Sequence, residues 1–179
     1  MKPGLVATAV GTMLTLAGCT ALRLTDSETP APAVSDPGAH EANAVVEYIV
    51  DGDTIDVLID GREERIRLIG IDTPETKKRD TPIECYGPEA TDFTTSLIPV
   101  GTPVRIERDI VNRDDYGRLL GYVYRSSDGI FVNYEVMRQG FGQPLSIAPN
   151  DIYAQLFADA AREAEADDAG LWAACSSPS

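Results

Sequence analysis

Lysine is almost missing from this sequence: three of its 179 residues, Lys2, Lys77 and Lys78. With 15 basic residues against 29 acidic ones, the net charge is −14. That excludes a bulk positive field for capturing polyanions. A single histidine, His40, excludes a multi-histidine metal centre and argues against a Ser-His or Cys-His catalytic pair. Three cysteines are too few for a zinc-finger quartet. The hydrophobic fraction of 43% and the charged fraction of 25% are those of a globular chain. They exclude a wholly disordered chain, a coiled coil and a multi-span membrane protein.

The first uncharged run, Pro3 to Leu22, follows Met1-Lys2. Within it, Leu16-Ala17-Gly18-Cys19 resembles the lipobox of bacterial lipoproteins. The resemblance implies a signal peptide over residues 1–18, cleavage before Cys19, and a diacylglycerol on its thiol that anchors the protein. About 20 apolar residues can also span a bilayer uncleaved, although Thr8, Thr12, Thr15 and the glycines make a poor span. Both readings export the domain, so the expected location is the extracytoplasmic face of the cell membrane. Residues 19–43 hold Pro30, Pro32, Pro37 and no aromatic residue, which reads as a flexible tether with His40 exposed in it. The folded domain is expected over 44–175, followed by a tail at 176–179. Setting Cys19 aside leaves Cys85 and Cys175, an even pair in an exported chain and therefore an expected disulfide.

Val45–Val50 is a β-rich run, Asp51-Gly52-Asp53 a turn or bulge signal, and Thr54–Ile59 a further strand. Asp60-Gly61 is a two-residue hairpin turn, and Arg65–Ile69 alternates polar and apolar residues. Gly87-Pro88 opens a helix that runs to about Ile98. Strands follow at Val104–Glu107 and Leu119–Tyr124, a short helix at Asn133–Gln139, and a longer one from Asp151 to Asp168. In the last, Ile152, Leu156, Phe157, Ala160, Ala161 and Ala164 form the apolar face. Five short strands with a helix inserted after the third suit an α+β OB-fold, a five-stranded Greek-key barrel with three helices.

If Asp60 and Gly61 form the turn, Ile59 faces Arg62, Thr54 faces Arg67 and Asp53 faces Leu68. Asp53, Arg67 and the segment Asp72-Thr73-Pro74-Glu75 then converge at one end of one hairpin. Carboxylates without imidazole or thiolate suit a hard cation such as calcium rather than zinc or copper. Asp53 and Asp72 are the natural ligands, and Glu75 can hold a water. Arg67 can bind a phosphate in bidentate fashion. Such a set suits phosphodiester hydrolysis. It equally suits a solvated cluster of turn carboxylates salt-bridged to Arg67.

Five blocks in order resemble the staphylococcal (thermonuclease-like) nuclease family: Asp51-Gly52-Asp53-Thr54, Arg67 to Thr76, Tyr86 to Ala90, Asp115-Tyr116-Gly117-Arg118, and Val136 to Gly140. The resemblance covers about Val45 to Trp172. It implies calcium-dependent hydrolysis of DNA and RNA that leaves 3′-phosphate ends. By motif, Asp53 and Asp72 would bind calcium through their side chains and Thr73 through its backbone carbonyl. Glu75 would be the general base or orient the attacking water, and Arg67 and Arg118 would clamp the phosphate. The implied partners are DNA and RNA as substrates and the membrane through Cys19; the chain is expected to be a monomer. Asp115 stands where the family often has lysine, and Gln143–Pro149 lacks the tyrosines that often stack on the nucleotide there. The competing reading is a non-catalytic OB-fold module that binds nucleic acid or an envelope protein.

Overall fold

The computed structural model describes residues 40–76 and 82–175. The expected signal segment, Cys19, the tether up to residue 39 and the tail at 176–179 lie outside them.

The Asp60-Gly61 turn sets the register. Both residues have positive φ, 50° and 74°, as the tight hairpin turn requires. Strands β2 (Thr54–Ile59) and β3 (Arg62–Leu68) pair across it with Ile59 opposite Arg62 and Thr54 opposite Arg67, as expected. Strand β1 (Ala44–Asp51) pairs with β2. Its register shifts between Val46 and Tyr48 and again between Ile49 and Asp51, irregularities that coil a strand enough to close a barrel. Strands β5 (Pro103–Glu107) and β6 (Leu119–Arg125) complete it in the order β1-β2-β3-β6-β5. Strand β6 runs parallel to β3, with Arg67 beside Leu120. This is the expected five-stranded OB-fold. Ile55, Val57, Ile66, Leu68, Val104 and Val123 fill its interior at zero exposure.

Helix α1 (Gly87–Leu97) braces the β1–β2 turn: buried Thr94 donates its hydroxyl to the Gly52 carbonyl at 2.7 Å. Helix α2 (Val132–Arg138) is tied to the barrel by buried Asn133. Its amide donates to Ile69 O, and its carbonyl accepts from Val123 N. Helix α3 (Ala154–Ala166) buries Phe157, Ala160, Ala161 and Ala164. It starts three residues later than expected, and Ile152 is exposed in the turn before it rather than on its apolar face. The four-residue α4 (Leu171–Ala174) buries Leu171.

Two short strands lie outside the barrel and outside the sequence reading. β4 (Gly70–Asp72) pairs with β7 (Gln143–Leu145), setting Asp72 beside Gln143. Gly70 sits at φ 84°, and a Cβ there would collide with the Phe157 ring. Only glycine lets the chain leave β3 and turn into β4 directly over α3.

The tether expectation needs a correction at its end. His40 is half-buried: its amide donates to Ser126 O at 3.1 Å, and its ring lies 5.2 Å from that of Tyr124. The Asn43 side chain accepts from Ile106 N and donates to Ile106 O, replacing a strand partner. Polar anchoring of this kind leaves no apolar signature. Cys85 and Cys175 form the expected disulfide, with Cα atoms 6.0 Å apart and a sequence separation of 90. Closing a loop of this length contributes on the order of 2–4 kcal/mol.

Candidate active site

The turn between β1 and β2 sits directly against the segment after β4. A Cβ on Gly52 would meet the Thr73 side chain at 2.8 Å, so the glycine allows the contact. Asp53 follows, buried, and its Oδ2 accepts from the Thr73 amide at 2.8 Å and the Thr73 hydroxyl at 3.2 Å. Its other oxygen accepts from the Thr54 hydroxyl. Arg67 reaches the same corner from β3. Its Nη2 lies 3.2 Å from Asp53 Oδ2 and 2.7 Å from Asp72 Oδ1, so both carboxylates meet at one nitrogen. Its Nη1 donates to the carbonyls of Leu68 and Ile71. The Arg67 side chain is only 12% exposed, whereas that of Asp72 is 58% exposed. The corner is closed beneath and open above.

Negative charge is in surplus here. Burial raises the carboxyl of Asp72 above its usual range; Arg67 opposes the rise, and Asp53 and Glu84 add to it. Asp51, half-buried on the next turn of chain, is pushed from 3.8 up to about 6 by burial and then by the charge of Asp53. The sequence reading passed over Asp51 as a turn residue. Its signal was the spacing Asp51-x-Asp53, which puts two carboxylates on one tight turn. Two carboxylates that meet at Arg67, a third beside them and neighbouring backbone oxygens are a donor set whose chemistry fits a hard cation. Among the described residues, no cluster of three or more His, Cys, Asp or Glu side chains is placed to hold an ion. A cation here would therefore draw further ligands from backbone or water.

Glu75 stands on the loop after Thr73. Its amide donates to Glu84 Oε2 at 3.0 Å, its carbonyl accepts from the Glu84 amide at 3.0 Å, and its own Oε1 accepts from the Thr76 amide. Glu84 thus staples the two ends of the loop, and the sequence reading did not single it out. Cys85, next in the chain, adds the disulfide to the same point.

Arg118 is not part of the acid corner. It lies at the start of β6, which runs parallel to β3, and lines a hollow with Arg65, Asp56 and Tyr116. Arg65 and Arg67 share a face of β3, one pleat repeat or about 7 Å apart. Arg118 therefore sits about that far along from Arg67. Its Nε is bonded to Asp114 Oδ2 at 2.7 Å, and its guanidinium lies 5.5 Å from the Tyr116 ring centre. Burial opposes the ionisation of Asp114, but Arg118 and the amides of Arg118 and Tyr116 prevail and hold its carboxyl below the usual range. Tyr116, 87% exposed, is the aromatic surface nearest this arginine. Across the site, Leu145 and Ile147 are exposed where the resemblance leads one to expect tyrosines.

Residues 65–174 match the family model described as staphylococcal nuclease homologue. A thermonuclease of Staphylococcus intermedius is 38% identical over 128 residues, which covers 72% of this chain and 74% of that protein. A thermonuclease of Staphylococcus hyicus is 36% identical over 134 residues, covering 75% and 78%. Endonuclease YncB of Bacillus subtilis is 34% identical over 132 residues, covering 73% and 61%.

Proposed function

The chain belongs to the staphylococcal nuclease family, and from that premise we propose that it is an endonuclease whose calcium-dependent hydrolysis of DNA and RNA leaves 3′-phosphate ends. The observation that carries this reading is the meeting of Asp53 and Asp72 at one nitrogen of Arg67, beneath an open surface. Asp53, Asp72 and the Thr73 carbonyl would hold the calcium. When bound, the ion neutralises phosphate charge and acts as a Lewis acid.

The rest is the work of this chain's own side chains. Glu75 orients the attacking water and accepts its proton, and its backbone is fixed by Glu84. Arg67, engaged through both terminal nitrogens by two carbonyls and two carboxylates, offers its Nε–H and its charge to the phosphate. Arg118 approaches from β6 and offsets the charge that gathers on the equatorial oxygens. To do so it exchanges Asp114 for the phosphate. In calcium buffer the protein is expected to cut both plasmid DNA and RNA, and excess EGTA to stop it. Binding without cleavage in calcium would instead identify a non-catalytic module.

We place the enzyme outside the cytoplasm, held to the membrane as a monomer by a lipid on Cys19, on the strength of the lipobox-like Leu16-Ala17-Gly18-Cys19. Metabolic labelling with radioactive palmitate should mark the wild type and not Cys19→Ala. Equal labelling of both would refute the anchor.

A further inference from the structure

A second arginine-lined hollow lies beyond Arg65 and Arg118. It encloses about 300 Å³ and has an apolar floor of Ile59, Ile106 and Leu119, with Arg62, Arg108 and Arg113 around it. The two hollows adjoin, because Glu64 lines both. Arg113 forks onto Glu64 with bonds of 2.9 and 3.0 Å and donates to Gly117 O, so it is fixed at the junction. The guanidiniums of Arg62 and Arg108 have no hydrogen bond or ion pair among the described residues. Of the two acids on this wall, Glu64 is bonded to Arg113 and also feels the charge of Arg62, while Asp60 forms no ion pair with Arg62 or Arg108 among the described residues. In a chain of net charge −14, that is an unusual place to leave positive charge unspent.

The hollow is also continuous with the one beside Arg118, around the edge of β3 at Glu64. Arg62 and Arg67 are five residues apart on β3, an odd spacing that sets them on opposite faces of the strand, at a separation of about 17 Å. The nearer hollow, with Arg65, Arg118 and exposed Tyr116, fills the interval. A nucleic-acid strand leaving the corner along β3 would meet Tyr116 and Arg118 first and then, by bending over the strand edge where Glu64 lines both hollows, Arg62 and Arg108. Barrels of this architecture track roughly 4–16 nucleotides, so the spacing lies within one strand's reach.

We propose that the Arg62–Arg108–Arg113 hollow is a second anion subsite, which takes a phosphate of the substrate strand several nucleotides from the bond that is cut. Its apolar floor receives the adjoining sugar. The proposal rests on the nuclease reading and specifies where that enzyme holds a long substrate.

The test compares a single-stranded dodecamer with a dinucleotide as substrates in calcium buffer. Arg62→Ala combined with Arg108→Ala should raise the KM for the dodecamer, relative to that for the dinucleotide, about tenfold. The log–log salt slope on the dodecamer should become shallower by about 1. Both residues are exposed, so the fold should be kept, and a thermal melt checks it. Arg138→Ala with Arg162→Ala removes the same charge from helices elsewhere and should leave the ratio unchanged. An unchanged ratio in the first variant, or an equal change in both, overturns the subsite. If the wild type cuts neither substrate, the nuclease reading fails by itself. Fluorescence titration with the dodecamer then tests the subsite alone, which predicts about tenfold weaker binding for the first variant and is refuted by equal affinities.

Discussion

Arg67 and Arg118, to which the proposed function gives the same task, stand in opposite surroundings. Arg67 is walled in. Two carbonyls and the Asp72 carboxylate accept its hydrogen bonds, Asp53 pairs with its charge, and its side chain is 12% exposed. Arg118 is 30% exposed, and its ion-pair partner, Asp114, belongs to its own loop. From sequence the two look like a matched pair of phosphate clamps. The structure separates them: Arg67 holds the β1–β2 turn to the end of β4, whereas Arg118 holds nothing but the loop it stands on. A buried guanidinium with this many acceptors is part of the architecture, and one on a self-contained loop is free to change partner.

The strongest way to break that comparison is Arg67→Ala. It should lower the single-turnover rate by about 10³-fold. Unlike a pure clamp, it should also cost about 3–5 kcal/mol of stability by denaturant melting, because two carboxylates lose their buried counterion. A variant that melts like the wild type would return Arg67 to the purely clamping role that the resemblance implies. Arg118→Lys tests the other side. It should lower kcat by about 10²-fold, since a point-charge ammonium cannot form the planar fork. Stability should change by less than about 1 kcal/mol, as for an exposed pair. A large loss of stability would erase the contrast.

Asp51→Asn sharpens the comparison on the acid side. The raised pKa of Asp51 means that the fold favours its protonated form. In chelated protein that contribution is fully present below about pH 4 and is lost as pH rises through about 6. Wild-type stability in EGTA should therefore fall over this window by on the order of 2 kcal/mol more than that of Asp51→Asn. Parallel pH–stability curves for the two proteins would show that the surplus charge in the corner is not felt.

Much of this was legible in the sequence because one local rule carried it. Asp60-Gly61 dictates a two-residue turn, and with the register fixed, Thr54 must face Arg67 and Asp53 must approach the Asp72 segment. The barrel strands and α1 to α3 followed from periodicity and from glycine and proline stops. Three-residue strands such as β4 and β7 are too short to leave a pattern, so the pairing that sets Asp72 beside Gln143 was invisible. His40 and Asn43 dock through hydrogen bonds that no apolar run announces. The hollow with Arg62, Arg108 and Arg113 gathers residues from a hairpin and a distant loop, so it emerges only when β6 is laid against β3. Helix α3 starts late because Asp151–Tyr153 is occupied in a turn, with the Ile152 amide directed at Asp109.

The disulfide has a consequence for how this protein ages. Cys85 and Cys175 make a covalent ring that contains α1, β5, β6, β7 and all the later helices. A protease that nicks any exposed loop inside the ring opens it without releasing a fragment. The β2–β3 hairpin, with Arg67 and its two carboxylates, stays bound to everything downstream of the cut. A nicked molecule would run as one species on a non-reducing gel and as two after reduction, and would keep its acid corner tethered to the downstream part until the disulfide is reduced.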